Sequence, residues 1–237
     1  MSTRLIISII AYLYSAAAIV LVGLKARELY GLFRRGQADP TRSTDRSTRL
    51  ANLLKEVLGH TKMNRFTGTG IAHWFVMVGF GALLGTLITA FGQVINPKFA
   101  IPWLGTFVPY LWLVESITWL TGIGIVTLIS IRQVTRLSKR GRTSRFYGSG
   151  SWKAYYVEAT ILAIVFCVIA LRGLEGALEG VMGWNSHYPL TSFVVEIFNS
   201  QSRSTIENQI VAVAFFKILV SMTWFIVIAL NLTMGVA

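Results

Sequence analysis

Five stretches of this chain, at about 5–24, 71–95, 107–131, 154–171 and 209–234, are long and apolar, and they limit its fold more than any other feature. A helix needs about 20 apolar residues to cross the hydrocarbon core of a bilayer. Backbone polar groups in lipid must be satisfied within the segment itself, so an apolar run of this length is a helix rather than an open strand. A chain of 237 residues that is 54% hydrophobic and only 14% charged exceeds what a soluble core of its size requires. The predicted class is an all-α membrane protein, a single membrane domain over 1–237. Ala16, Ala17 and Ala18 resemble a signal-peptide cleavage site, but the apolar run continues past them, so an uncleaved first span is expected.

The formal charge of +12 invites a nucleic-acid reading, which the positions of the basic residues rule out. Ten Lys and Arg fall in 25–66 and seven in 132–153, together 17 of the 22. Basic residues concentrate in cytoplasmic loops, so this distribution predicts five spans with the N-terminus outside and the C-terminus in the cytoplasm. Trp103, Tyr110 and Trp112 mark one interface, and Trp152, Tyr155 and Tyr156 the other. Within the first basic loop, Leu50, Leu53, Leu54, Val57 and Leu58 repeat at helical spacing between candidate caps Asp45 or Ser47 and Gly59. They predict an amphipathic helix over about 47–59, lying in the membrane interface or under a partner domain. Asn96-Pro97 and Pro102 predict a tight turn after the second span.

Few residues here can carry chemistry. His73 lies just inside the second span, with Gly70 before it and Gly79, Gly81 and Gly85 after it. An ionisable ring at that depth faces a bundle interior and has a partner. Neutral imidazole is a common metal ligand and a standard axial ligand of haem iron, and glycines let a helix or a flat macrocycle approach the backbone. Two readings stand: a haem-ligating histidine, and a satisfied histidine in a glycine-lined helix contact. His60 reads as a solvated residue at the end of the amphipathic helix, and His187 belongs to the opposite face of the membrane. Glu115, Glu158 and Lys217 are charges within spans. Glu115 and Lys217 share one half of the bundle and are expected to pair, as a structural ion pair or as a polar site for a quinone. Arg172, Glu175 and Glu179 read as a charge cluster on the outer surface. The only cysteine, Cys167, lies in a span, so no disulfide framework and no cysteine-ligated cluster belongs to this chain. Phosphate-loop, zinc-site and nucleophile-elbow patterns are absent, and no catalytic residue is assigned.

Five N-out helices resemble the cytochrome b, or gamma, subunit of respiratory nitrate reductase and its relatives in heterodisulfide-reductase-type complexes. Gly70-Ile-Ala-His73-Trp-Phe, Gly141-Arg-Thr-Ser-Arg-Phe-Tyr-Gly148, Leu171-Arg-Gly-Leu-Glu175, His187-Tyr-Pro-Leu and Thr233-Met-Gly-Val-Ala237 are similar to the membrane half of actinobacterial iron–sulfur reductases. The resemblance covers essentially the whole chain. It implies a component of a quinone-linked oxidoreductase in the bacterial plasma membrane, passing electrons between a cytoplasmic iron–sulfur or flavoprotein partner and menaquinone. The partners implied are membrane lipid, a cytoplasmic iron–sulfur domain continuing beyond 237 or a separate subunit, and electron-transfer flavoprotein. The 4Fe-4S clusters would belong to that partner. One haem b is implied, with His73 as its inner-side ligand and Gly70 and Gly79 beside it. The second ligand would lie just past the fifth helix, and a second haem has no histidine near Leu83. The alternatives are a haemless anchor that docks an iron–sulfur oxidoreductase, and a small transporter, which the lack of an internal repeat disfavours.

Overall fold

The computed structural model describes residues 3–37, 39, 45–65, 67–134 and 151–231, and among these every regular element is a helix. In chain order the α-helices are α1 (Thr3–Arg34), α2 (Arg46–Leu58), α3 (Thr67–Ala82), α4 (Leu84–Gln93), α5 (Val108–Val134), α6 (Ser151–Glu179), α7 (Ser192–Phe198) and α8 (Arg203–Leu230), with a short 3-10 turn at Met63–Arg65 before α3. Four of them, α1, α5, α6 and α8, are each long and apolar enough to cross a membrane, and α3 with α4 makes a fifth crossing if the bent pair is one span. The start of α3 packs beside the end of α5, and the end of α5 meets the start of α6 through Arg132 and Glu158. These helix ends, which flank the stretches rich in Lys and Arg, therefore share one end of the bundle, termed the basic end below. Residues 94–107 and 180–202 lie at the other.

The helices overrun their apolar stretches. α1 continues past Lys25 to Arg34, and α6 extends to Glu179, two turns beyond the expected end near 171. Those two turns lift Arg172 and Glu175 out of the predicted loop and into the helical bundle. The second span is not the straight helix expected over 71–95. It breaks at Leu83 and bends by 40°. No proline lies within it; the break falls among Gly79, Gly81 and Gly85, the kind of glycine-rich site where helices kink.

Packing uses small residues, as it must where lipid supplies no hydrophobic drive between helices. α1 turns Ser8, Ala11, Ser15 and Ala18 inward against α8 and leaves its bulky residues exposed. At the end opposite the basic loops the same pair is pinned by Arg4, which reaches Glu207 and Asn208 at 3.1 Å. α3 packs on α5 through Gly79 and Gly124; a Cβ on Gly124 would lie 2.9 Å from the Ala72 carbonyl oxygen. α4 turns away to pack on α8. The short α7 lies across Gly173 and Gly176 of α6, where added Cβ atoms would press into Val194 and Val195.

α2 forms between the caps that its sequence suggests. The Asp45 side chain accepts from the Thr48 amide at 3.4 Å, and Gly59 closes the other end through Lys55. None of its residues is buried, and Leu50, Leu53, Leu54, Val57 and Leu58 are all exposed. The basic runs around Arg140, Arg142 and Arg145, the 141–148 motif and the 233–237 motif lie outside the described residues.

Candidate functional site

Two polar clusters stand out in the bundle, one at each end. At the basic end, His73 sits on the first turns of α3, half-buried. His60, expected to be merely solvated, is its partner. The chain leaving α2 passes through Gly59 and then His60 at φ 48°, a left-handed conformation that histidine adopts more readily than most side chains. That turn folds the His60 ring back over α3. Its Nε2 lies 3.0 Å from Nδ1 of His73, with ring centroids 5.1 Å apart and planes 26° from parallel. Nδ1 of His60 lies 2.8 Å from the Val57 carbonyl oxygen, and Trp74 donates its indole N–H to the Leu58 carbonyl at 2.8 Å. Two of the orphan carbonyls at the end of α2 are thus satisfied by rings on or beside α3.

The glycines around His73 divide. Gly70 is buried one turn before it. Gly79 does not offer the open notch expected for a cofactor: a Cβ there would collide with the Thr121 hydroxyl, because α5 already fills the space. Gly81 faces open space, and Gly85 approaches the Tyr110 hydroxyl, 2.9 Å from an added Cβ. As a test of fit to haem, the imidazole of His73 is a suitable axial donor, since its Nε2 is engaged by no described residue. Gly79 belongs to the α3–α5 contact instead.

The second cluster occupies the opposite half. Glu115 of α5 and Lys217 of α8 are both almost completely buried, yet they do not pair. Arg172 takes Glu115: its Nε donates to Oε1 at 2.9 Å, while the Leu190 amide and Thr191 hydroxyl donate to the same carboxylate at 2.8 Å each. Arg172 also donates to Glu175 at 2.9 Å and to the His187 carbonyl, and its guanidinium lies 4.3 Å from the Tyr188 ring centroid. Of the expected surface cluster, Glu179 is exposed and Glu175 partly buried, but Arg172 is interior, only 8% exposed. Helix α6 carries Arg172 inward because Gly173 and Gly176 let α7 close over it.

Among the described residues Lys217 is left with one neutral partner. Its Nζ donates to Thr86 Oγ1 at 2.6 Å, and that hydroxyl donates to the Leu83 carbonyl at the α3–α4 break, also at 2.6 Å. Lys217 borders a cavity of about 360 Å³ that is also lined by Thr86, Gln93, Tyr110, Arg172 and Glu175. Gln93 donates to Glu175 at 2.6 Å, but among the described residues its Oε1 has no partner, and neither does the buried Tyr110 hydroxyl. Glu115 does not line this cavity. A smaller apolar cavity, of about 30 Å³, adjoins Lys217 on the side of Phe80 and Trp224.

Buried polar atoms are almost always satisfied, so an ammonium with one hydroxyl partner beside two orphan oxygens marks a place built for something else. The cavity is lined by four basic side chains (Lys98, Arg172, Arg203, Lys217) and two acidic ones (Glu175, Glu179), so a ligand there meets a surface of net positive formal charge. It offers donors at Lys217 and Tyr110 and acceptors at Gln93 and Glu175. Sequence reasoning found Glu115 and Lys217 because charges in apolar runs are conspicuous. It missed Gln93 and Tyr110, whose one available signal was a polar group inside or at the edge of a span. The class to which the fold points is a multi-pass helical membrane protein. Comparison of the chain with protein-family models, with curated proteins and with solved structures finds no match in any of the three.

Proposed function

We propose that this chain is the membrane module of a quinone-linked oxidoreductase, with a fold like that of the nitrate reductase gamma subunit. It passes electrons between a cytoplasmic iron–sulfur or flavoprotein partner and menaquinone in the bacterial plasma membrane. The observation that carries the reading is the cavity at Lys217. A quinone presents two carbonyl oxygens; its reduction adds two electrons and two protons and leaves two hydroxyls. A site for both forms needs donors for the carbonyls and acceptors for the hydroxyls. Lys217 and Tyr110 meet the first need, and Gln93 Oε1 and Glu175 meet the second. Glu115 serves this site indirectly, by holding Arg172.

At the basic end, His73 would hold one haem b, with Gly70 one turn away on the same helix. When bound, that haem supplies one-electron transfer near the cytoplasmic face. The exposed apolar stripe of α2 supports an interfacial helix beneath the donor. Electron-transfer flavoprotein and a 4Fe-4S domain are the partners that the resemblance implies. A haemless anchor for such a partner is the second reading. It draws support from Thr121, which occupies the space at Gly79.

The test uses Lys217→Met in the full-length protein in native membranes. Menaquinone-dependent electron transfer should fall at least tenfold, and binding of a hydroxyquinoline-type quinone-site inhibitor should be lost, while the protein remains folded. Unchanged inhibitor binding and turnover would remove the quinone from this cavity.

A further inference from the structure

The two histidines at the basic end form a directed chain, and its direction has a chemical consequence. A backbone carbonyl can only accept. Nδ1 of His60, 2.8 Å from the Val57 oxygen, therefore carries a proton. Neutral imidazole has one protonated and one bare nitrogen, so Nε2 of His60 is bare and accepts. The nitrogen that faces it at 3.0 Å, Nδ1 of His73, must then be the donor. This leaves Nε2 of His73 with its lone pair free. No described residue bonds to that atom. Histidines that bind metals characteristically donate their other ring N–H to a fixed acceptor, which sets the tautomer and raises the basicity of the ligating nitrogen.

We propose that His60 is a positioning residue for His73: it fixes the Nδ1–H tautomer and so presents Nε2 as the metal-binding nitrogen. The inference rests on the haem reading above for the identity of the metal group, but not for the tautomer. The backbone at His60 is built for this placement. Its left-handed φ of 48° turns the ring back towards α3, and the Trp74–Leu58 bond fixes the end of α2 against the same helix. The acceptor for His73 is thus anchored to the terminus of an amphipathic helix, and the site is coupled to how α2 lies at the membrane surface.

The chain holds three histidines, which makes nitrogen-15 labelling of histidine directly interpretable. In haem-free protein at mildly alkaline pH, wild type should show His73 protonated at Nδ1 and bare at Nε2, the less common form of free imidazole. His60→Gln keeps both functions, since its amide N–H₂ can donate to Val57 and its oxygen can accept from His73. It should preserve the tautomer. His60→Lys offers donors only and should invert it, placing the proton on Nε2. Both variants carry the same left-handed backbone cost, so a difference between them reads the side chain and not the fold. In the full-length protein, haem affinity should stay near wild type in His60→Gln and fall roughly 10–100-fold in His60→Lys, the range for loss of a partner to a metal ligand. Protonation at Nε2 in the wild type, or identical tautomers in the Gln and Lys variants, would overturn the proposal. Absence of haem from wild-type full-length protein, with the tautomer pattern intact, would instead overturn the haem reading and leave the hydrogen-bonded chain standing.

Discussion

At the scale of single residues, the account turns on which buried charge is structural and which is poised for a ligand. Glu115 accepts three hydrogen bonds and faces a guanidinium; Lys217 has one hydroxyl. Removing one member of a buried pair strands the other, at a cost of about 3–5 kcal/mol. Arg172→Met should therefore destabilise the protein by roughly that amount, and the Glu115→Gln, Arg172→Met double variant by less than the sum of the singles. Thermal unfolding in detergent measures both. Lys217→Met should behave oppositely. A lone ammonium deep in a span costs about 2.5–3.5 kcal/mol on insertion scales, so its loss should leave stability equal or higher while quinone chemistry falls. The sequence displays Glu115 and Lys217 because charges in apolar runs are visible without a structure. Their partners are less visible. Arg172 and Glu175 follow the apolar run and read as loop residues, and the two extra turns of α6 that bury them depend on α7 packing over Gly173 and Gly176. His60 was hidden in the same way: its role requires a left-handed turn that local sequence does not announce.

At the scale of elements, the second span decides the geometry of both sites. Its break at Leu83 lets α3 lie on α5 and α4 on α8, so His73 and Lys217 are served by different neighbours. The contact at Gly79 admits no side chain. Gly79→Val should overpack against Thr121 and cost roughly 1–3 kcal/mol, with partial relief from Thr121→Ala; thermal stability of the single and double variants checks this. The glycine cluster was legible in the sequence, but a glycine that admits a helix and one that admits a cofactor look identical there. α2 was legible down to its caps. Hydrogen bonds from Thr48 and from Ser47 hold the Asp45 carboxyl below its ordinary range. The cap is therefore intact above the usual carboxylate range and is lost only as pH falls through the lowered value. Peptide-bond circular dichroism of a 45–59 peptide on anionic vesicles should show helix at neutral pH that weakens under acid, more so in wild type than in Asp45→Asn.

At the scale of the whole molecule, the apolar runs specified the helices, and the loop charges specified a predicted orientation that the fold alone does not fix. Single cysteines at Ser149 and Ser186 should label from opposite sides, with Ser149 cytoplasmic. The native Cys167 is buried and should give little background. Labelling of Ser149 from outside would contradict the orientation and move His73 away from the proposed donor. The claim that joins the two ends, electron transfer through His73 to a quinone at Lys217, is tested most directly by one spectrum: the reduced-minus-oxidised visible difference spectrum of membranes containing the full-length protein. The account predicts a low-spin b-type signal in wild type, retained in His187→Ala and lost in His73→Ala while the protein stays in the membrane. A wild-type spectrum without that signal, or one unchanged in His73→Ala, would contradict it.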